Sequence, residues 1–332
     1  MASALPAWLE PLSSGLYAID TGFHRERFDA AFLIVDEGRA AFIDTGTGFA
    51  LPRHLGALDA LGIARDAVDW VIPTHVHLDH AGGAGALMRA LPEARMLIHP
   101  RGARHMIDPS ALWEGATAVY GPEEMARSYG EVVPVPSERV LGTVDGMTVQ
   151  VGARTLRFAD TPGHARHHHC IWDERTRGWF TGDTFGLSYR EFDTERGAWI
   201  VPTSTPVQFE PELLMASIRR LLAAGPRWMY LTHYGRVGDA GDGVARLGAL
   251  LLGLLEELVA LGRRVQARNG GAGQHAERHQ ALKEGQLPIY VKSLREHGCT
   301  LPEADIAALL AIDLELNAQG MAVWLDRESK AS

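Results

Sequence analysis

Thr74-His75-Val76-His77-Leu78-Asp79-His80-Ala81-Gly82-Gly83 gathers three imidazoles and a carboxylate within six consecutive positions. The residues ahead of it, Val68 to Ile72, form a short apolar run that predicts a buried strand. The small residues behind it lead into Ala84 to Leu91, where the pattern predicts a helix. The quoted stretch is therefore a strand-to-helix loop. Imidazole and carboxylate are ligand types that suit zinc, iron, manganese and similar divalent cations. His75 and His77 alternate, so an extended backbone sends both side chains from the same face. Asp79 and His80 follow where the chain turns, and can address a second point in space. Core packing gives no reason to crowd these groups together, so the loop is read as metal-binding, able to serve two adjacent ions.

One loop cannot close such a site, and three later stretches offer partners. Leu156 to Gly163 delivers His164, Trp179 to Gly182 delivers Asp183, and Trp228 to Thr232 delivers His233. Each is an apolar run that ends in a ligand-type residue with a glycine beside or near it. Ligands at strand ends around a pocket are the usual geometry for a site held by a sheet.

The order His-x-His-x-Asp-His, Thr161-Pro162-Gly163-His164, Gly182-Asp183-Thr184, Thr232-His233-Tyr234-Gly235 resembles the metallo-β-lactamase-fold superfamily. Phe42-Ile43-Asp44-Thr45-Gly46 matches that family's first motif. The likeness is to a glyoxalase II or lactonase-like branch, not divided further, and it covers roughly the first two-thirds of the chain. It implies an α/β (α+β) fold, an αββα four-layer sandwich of two mixed sheets with helices outside, over residues 1–238. A helical C-terminal appendage is expected over 239–332. The resemblance also implies two metal positions, one bound by His75, His77 and His164, the other by Asp79, His80 and His233. Asp183 would bridge them. Asp44 is read either as a group that steadies the ligand loop or as a turn aspartate closing Asp44-Thr45-Gly46. His168 falls where relatives often carry a histidine that is not a ligand.

Two divalent ions follow from this set, zinc first, with iron or manganese as the other choices. Two cations sharing a water lower its pKa toward neutrality. The hydroxide then attacks an ester, thioester, lactone or amide carbonyl of a small molecule while a cation stabilises the oxyanion. Asp79 is the expected acceptor of the nucleophile's proton. No serine-elbow motif suggests a covalent route. One alternative is a mononuclear non-haem iron oxygenase resembling persulfide dioxygenases, using His75, His164 and Asp183. Another is a metal-binding protein without catalysis. A flavodiiron protein is disfavoured because such proteins carry Glu where His77 stands.

With 332 residues the chain can bury a substantial core, and 46% hydrophobic with 22% charged residues is ordinary for a globular protein. A formal charge of −9 argues against a nucleic-acid partner, which needs Lys and Arg. Cys170 and Cys299 form neither a metal pattern nor a disulfide framework, which fits a cytoplasmic setting. Met1 to Ser14 has no basic start and no apolar core, so it does not read as a signal peptide. Leu247 to Leu261 is interrupted by Glu256 and Glu257 and is too short to span a membrane. The expected partner is a small-molecule substrate, with a homodimer through the tail as a further option.

Elsewhere, strands are expected at 16–19, 32–35, 41–43, 96–99 and from Val140 to His164. Leu51 to Leu61 is expected to be a helix ending at Gly62. Residues 101–138 read as helical fragments that pack on the domain or line a pocket mouth. His167, His168 and His169 sit between strands and are not counted as ligands, with His167 and His169 expected on the opposite strand face from His168. Between Asp183 and Glu210 the pattern is irregular, and Tyr189 and Arg190 are candidates for substrate contact or for solvent. Helices are expected at 211–224, 239–261, 274–283, 287–296 and 301–317, with a loop at Gly270 to Gly273. The stretch 301–316 should bury Ile306, Leu309, Leu310 and Leu314 on one face.

Overall fold

Alternating apolar residues in the first part of the chain build a meander. The computed structural model describes residues 4–204, 207–238, 243–269 and 274–331. Strands β1 (Leu9–Ser13), β2 (Leu16–Asp20), β3 (Ala30–Asp36) and β4 (Arg39–Ile43) pair antiparallel in sequence order. Strands β5 (Val68–Ile72), β6 (Arg95–Ile98) and β7 (Val140–Gly142) then join in parallel, giving a seven-stranded mixed sheet. Parallel neighbours need crossovers. They are supplied by α1 (Leu51–Leu61), by α2 (Leu78–Ala81) with α3 (Ala84–Ala90), and by α4 (Pro100–Ile107), α5 (Ser110–Tyr120) and α6 (Pro122–Glu124).

The second sheet holds β8 (Thr148–Val151), β9 (Arg154–Asp160), β10 (His169–Asp173), β11 (Gly178–Gly182), β12 (Trp228–Leu231) and β13 (Gly235–Val237). Its order is β13-β12-β11-β10-β9-β8, and only β11 and β12 run parallel. One apolar cluster joins the two sheets: Phe32, Ile43, Ile72, Phe158, Phe180 and Tyr230 all lie in it. Phe32 meets Phe180 edge to face, with ring centroids 5.2 Å apart. The period of two sends Leu33, Phe42 and Val71 to the other face of the first sheet, where Leu58, Leu87 and Met88 of the helices cover them. Both faces of β3 are thus dry, which is why Ala30 to Val35 reads as an unbroken apolar run.

The chain divides into two compact units. The first comprises Met1–Asp160, His167–Gly182 and Pro226–Val237, and the second Thr161–Arg166, Asp183–Gly225 and Gly238–Ser332. The last segment of the second unit begins where the helical region was expected, and that unit also takes in two segments from the earlier part of the chain. It contains α7 (Pro211–Ala223), α8 (Gly243–Asn269), α9 (His275–His297), α10 (Glu303–Leu309) and α11 (Ala311–Ala331), with α8, α9 and α11 packed on one another. Among the described residues no single helix is long and apolar enough to cross a membrane.

Several local expectations are corrected. The helices predicted at 274–283 and 287–296 are one helix, α9, which runs through Pro288. Burial of Leu282, Gln286, Tyr290 and Leu294 on a single face outweighs the one hydrogen bond that Pro288 removes. Conversely, 301–317 is not one helix, since α10 and α11 meet at a 64° bend. The bend keeps Ile306, Leu310 and Leu314 buried but turns Leu309 partly outward. Strands β1 and β13 were not expected, being short and interrupted by polar residues. The start of the helix expected from 239 and the loop expected at Gly270 to Gly273 lie outside the described residues.

Leu310 is fully buried. Replacing it with Asp should cost about 3–5 kcal/mol, read as a lower urea midpoint, through lost packing and an unpaired buried charge. The metal content of the protein that remains folded should not change. His54 is also fully buried in α1, its Nδ1 donating to the Ala50 carbonyl at 2.9 Å. Burial pushes its pKa from 6.5 down to about 4. Below pH 6.5 the unfolded chain takes up this proton and the folded chain does not, so stability falls as pH drops through this window. Leu at position 54 should therefore flatten the pH dependence of the urea midpoint between pH 6.5 and 4 by about one proton.

Candidate metal centre

In the first unit the construction starts at Asp44, just past β4. Its backbone takes the left-handed conformation, φ 55°, which aspartate tolerates better than most residues. Its carboxylate is buried and receives four hydrogen bonds. Oδ1 accepts from the Thr74 amide at 2.7 Å and shares the Thr74 hydroxyl, 3.0 Å from either oxygen. Oδ2 accepts from His80 Nδ1 at 2.9 Å and from the Thr232 hydroxyl at 2.7 Å. The end of β4, the loop after β5, the helical turn α2 and the end of β12 are thereby fixed together.

A carboxylate can only accept, so His80 carries its proton on Nδ1 and presents Nε2 as an electron-pair donor. His233 is set the same way, its Nδ1 donating to the Phe28 carbonyl at 3.0 Å. Asp79 Oδ2 stands 3.2 Å from His233 Nε2 and 3.8 Å from His80 Nε2. These three residues offer ligand atoms that all lie within 4.8 Å of one another. Beside them His75 Nε2 faces His77 Nδ1 at 2.8 Å, as the alternation predicted.

The second unit holds the remaining pair. His164 Nε2 lies 3.4 Å from Asp183 Oδ2, and His164 Nδ1 meets the Thr203 hydroxyl at 3.3 Å. Asp183 is the residue that follows β11, and His164 comes four residues after the last of β9. Gly163 is required here: φ is 133°, and a Cβ would come within 2.2 Å of the Leu214 amide nitrogen in α7.

These residues suit divalent ions. A tetrahedral ion bound at 2.0–2.1 Å sets neighbouring ligand atoms about 3.3 Å apart. The Asp79–His233 and Asp183–His164 separations, 3.2 and 3.4 Å, lie at that value, while 2.8 Å for His75–His77 is shorter. The donors are neutral imidazoles and carboxylates, the set that zinc, iron and manganese share.

The second histidine crowd is placed differently from expectation. All three of His167, His168 and His169 are buried, and β10 begins only at His169. Because 166–167 is a turn and the strand starts only at His169, strict alternation does not apply. His168 stacks on His75 with centroids 4.8 Å apart, and His167 also approaches, 6.1 Å from His75 and 5.8 Å from His77. Only His169 turns away. It donates from Nε2 to the Pro73 carbonyl at 3.0 Å and accepts the Thr143 hydroxyl at Nδ1, 2.8 Å, and burial pushes its pKa down to about 3. Tyr189 is buried in the second unit and donates to the Asp313 carboxylate at 2.9 Å. Arg190 donates to the Ser188 carbonyl at 2.8 Å and pairs with Asp193 at 3.5 Å.

Two groups near these histidines carry no motif. Thr203 is an ordinary polar residue in an irregular stretch. Asp29 is fully buried next to Phe28, and burial pushes its carboxyl up to about 7 against the attraction of His233 and His80. Nothing in the local sequence of either distinguishes it from a loop residue.

The family model described as metallo-beta-lactamase superfamily matches residues 24–233. The chain is 28% identical over 256 residues to an atrochrysone carboxyl ACP thioesterase of Aspergillus fumigatus, covering 75% of this chain and 66% of that protein. It is 30% identical over 183 residues to the acyl-coenzyme A thioesterase MBLAC2 of Gallus gallus, covering 52% of this chain and 64% of that one. In both cases the match spans less than two thirds of the relative's own length. Among solved structures it is similar to a metallo-beta-lactamase family protein of Thermus thermophilus, with TM-score 0.63, 20% identity, and 95% and 94% of the two chains covered. That likeness concerns the fold, and none of these matches separates a glyoxalase II branch from the others.

Asn in place of Asp44 would offer one acceptor oxygen where the carboxylate offers two. His80 and Thr232 would then compete with Thr74 for it, and the local negative charge would be lost. Zinc affinity, read by chelator competition, should fall about 10- to 100-fold, the range for losing a partner that orients a ligand.

Proposed function

The chain belongs to the metallo-beta-lactamase superfamily, and from that membership we propose that it is a metal-dependent hydrolase of an activated acyl group, with a small-molecule thioester as substrate. The observation that carries the reading is the convergence of Asp79, His80 and His233, with both imidazoles held in the Nδ1–H form. Such a grouping could hold a metal ion. In this reading His75, His77 and His164 would hold one ion, Asp79, His80 and His233 would hold a second, and Asp183 would serve both. Zinc ions bound there supply an acidified water and a Lewis acid for the carbonyl oxygen.

The chain's own residues do the rest. Asp79 has a side chain 23% exposed, the most open carboxylate of the set. It takes up the proton of the attacking water and returns it to the leaving group. Asp44 and the Phe28 carbonyl keep the rings of His80 and His233 from rotating. A thioester is favoured within the acyl class because two relatives bear the names of thioesterases. The leaving thiol is also a good one, so a single carboxylate suffices for proton transfer.

Protein purified without added metal and then titrated with zinc should take up close to two equivalents and hydrolyse acyl-coenzyme A or acyl-carrier thioesters. A chelator should abolish the activity, and Asp183→Asn should lower both metal content and rate by at least tenfold. One iron per chain with oxygen consumption on persulfides, and no thioester hydrolysis, would replace this reading with that of an oxygenase.

A further inference from the structure

Thr203 is the partner of His164 Nδ1, at 3.3 Å, and both are buried. Thr203 stands between Pro202 and Ser204, just past Val201, which pairs with Leu187 of the same segment in an isolated antiparallel bridge. The residues on either side of it are also held by one side chain from the C-terminal helices. Asn317 of α11 accepts the Ser204 amide at Oδ1, 2.6 Å, and donates from Nδ2 to the Pro202 carbonyl at 3.0 Å. The Ser204 hydroxyl adds a bond to the Asn317 carbonyl at 3.2 Å. An amide side chain thus takes the place of a neighbouring strand for residues 202–204, with Thr203 at the centre of the grip.

Asn317 is itself fixed. It is 2% exposed, and its Nδ2 also meets the Tyr290 hydroxyl at 3.3 Å, which donates to Gln286 Oε1 at 3.3 Å. Gln286 in turn donates to the Leu314 carbonyl at 3.0 Å, tying α9 to α11. A buried network of this kind holds its members rigidly because any break leaves a desolvated polar group.

We propose that Asn317 is a positioning residue for His164: through its grip on 202–204 it places the Thr203 hydroxyl that keeps His164 in its Nδ1–H form with Nε2 toward the metal. The inference rests on the functional reading above and deepens it. The helical C-terminal region then sets the orientation of one ligand without contributing any.

The test uses the full chain and zinc alone, with affinity read by chelator competition and ligand geometry by the visible spectrum of the cobalt-substituted protein. Thr203→Val should weaken zinc about tenfold and alter the cobalt spectrum, while Thr203→Ser keeps the hydroxyl and should restore both. Asn317→Ala should weaken zinc to a similar degree, and the double variant Thr203→Val with Asn317→Ala should be no weaker than either alone. Ser293→Ala removes a different anchor of this segment, the 2.9 Å bond from Trp199 Nε1. It should lower the melting temperature and leave zinc affinity unchanged. Where Asn317→Ala does not fold, Asn317→Asp keeps the Ser204 acceptor, loses the Pro202 donor and takes its place. Additive losses in the double variant, or Asn317 variants that melt earlier yet bind zinc as the wild type does, would overturn the inference alone. A wild-type chain that binds no zinc would overturn the functional reading and this inference with it.

Discussion

The first unit depends on a buried negative charge being fully satisfied. Asp44 sits where the strand alternation of β4 stops, in a conformation that costs an ordinary residue of order 1 kcal/mol. A lone carboxylate there would be ruinous, because desolvating an ion costs several kcal/mol even after relaxation. Donors from Thr74, His80 and Thr232 repay it, and hydrogen bonds to a charged acceptor contribute roughly 1.5–3 kcal/mol each. The consequence is that three segments distant in sequence have only one mutual arrangement in which this charge is stable. Folding the sheets therefore sets the orientation of His80.

The same device recurs with different chemistry. His233 is oriented by a backbone carbonyl, His80 by a carboxylate and His164 by a hydroxyl. These acceptors differ in how strongly they enforce the proton's position. A carboxylate and a carbonyl can only accept, whereas a hydroxyl can also donate, so His164 is the least constrained of the three by its immediate partner. That weakness gives a physical reason for the further support behind Thr203. The Asn317 amide binds one donor and one acceptor of the main chain at once, and so restricts both the position and the rotation of residues 202–204.

What the sequence made legible follows from residue chemistry. Imidazoles and carboxylates at strand ends stand out because apolar runs stop at them, and the sheets stand out because β3, β5, β11 and β12 are apolar enough to be buried. The ligand candidates stood out on those grounds, whereas the two-sheet sandwich was implied by the resemblance to the metallo-β-lactamase-fold superfamily. Where reading failed, tertiary contacts had overruled a local rule. Pro288 should have ended a helix, but the buried face from Leu282 to Leu294 carries α9 past it. His167 was put on the far face because strand alternation was extended one turn too early. Leu309 was put in the core because a straight helix was assumed where α10 and α11 bend. Thr203 and Asn317 were invisible for another reason: a single hydroxyl or amide has no pattern, and only the fold reveals that they meet.

The irregular segment after Asp183 shows how recognition and scaffold divide. Its polar side chains were candidates for substrate contact because the segment follows a ligand directly. Yet the Tyr189 hydroxyl is committed to Asp313 in α11, and Arg190 folds back on Ser188 and Asp193 within its own turn. Trp199 and Ser204 are likewise held by α9 and α11. Tyr189, Trp199 and Ser204 are thus directed toward the helices that support the segment.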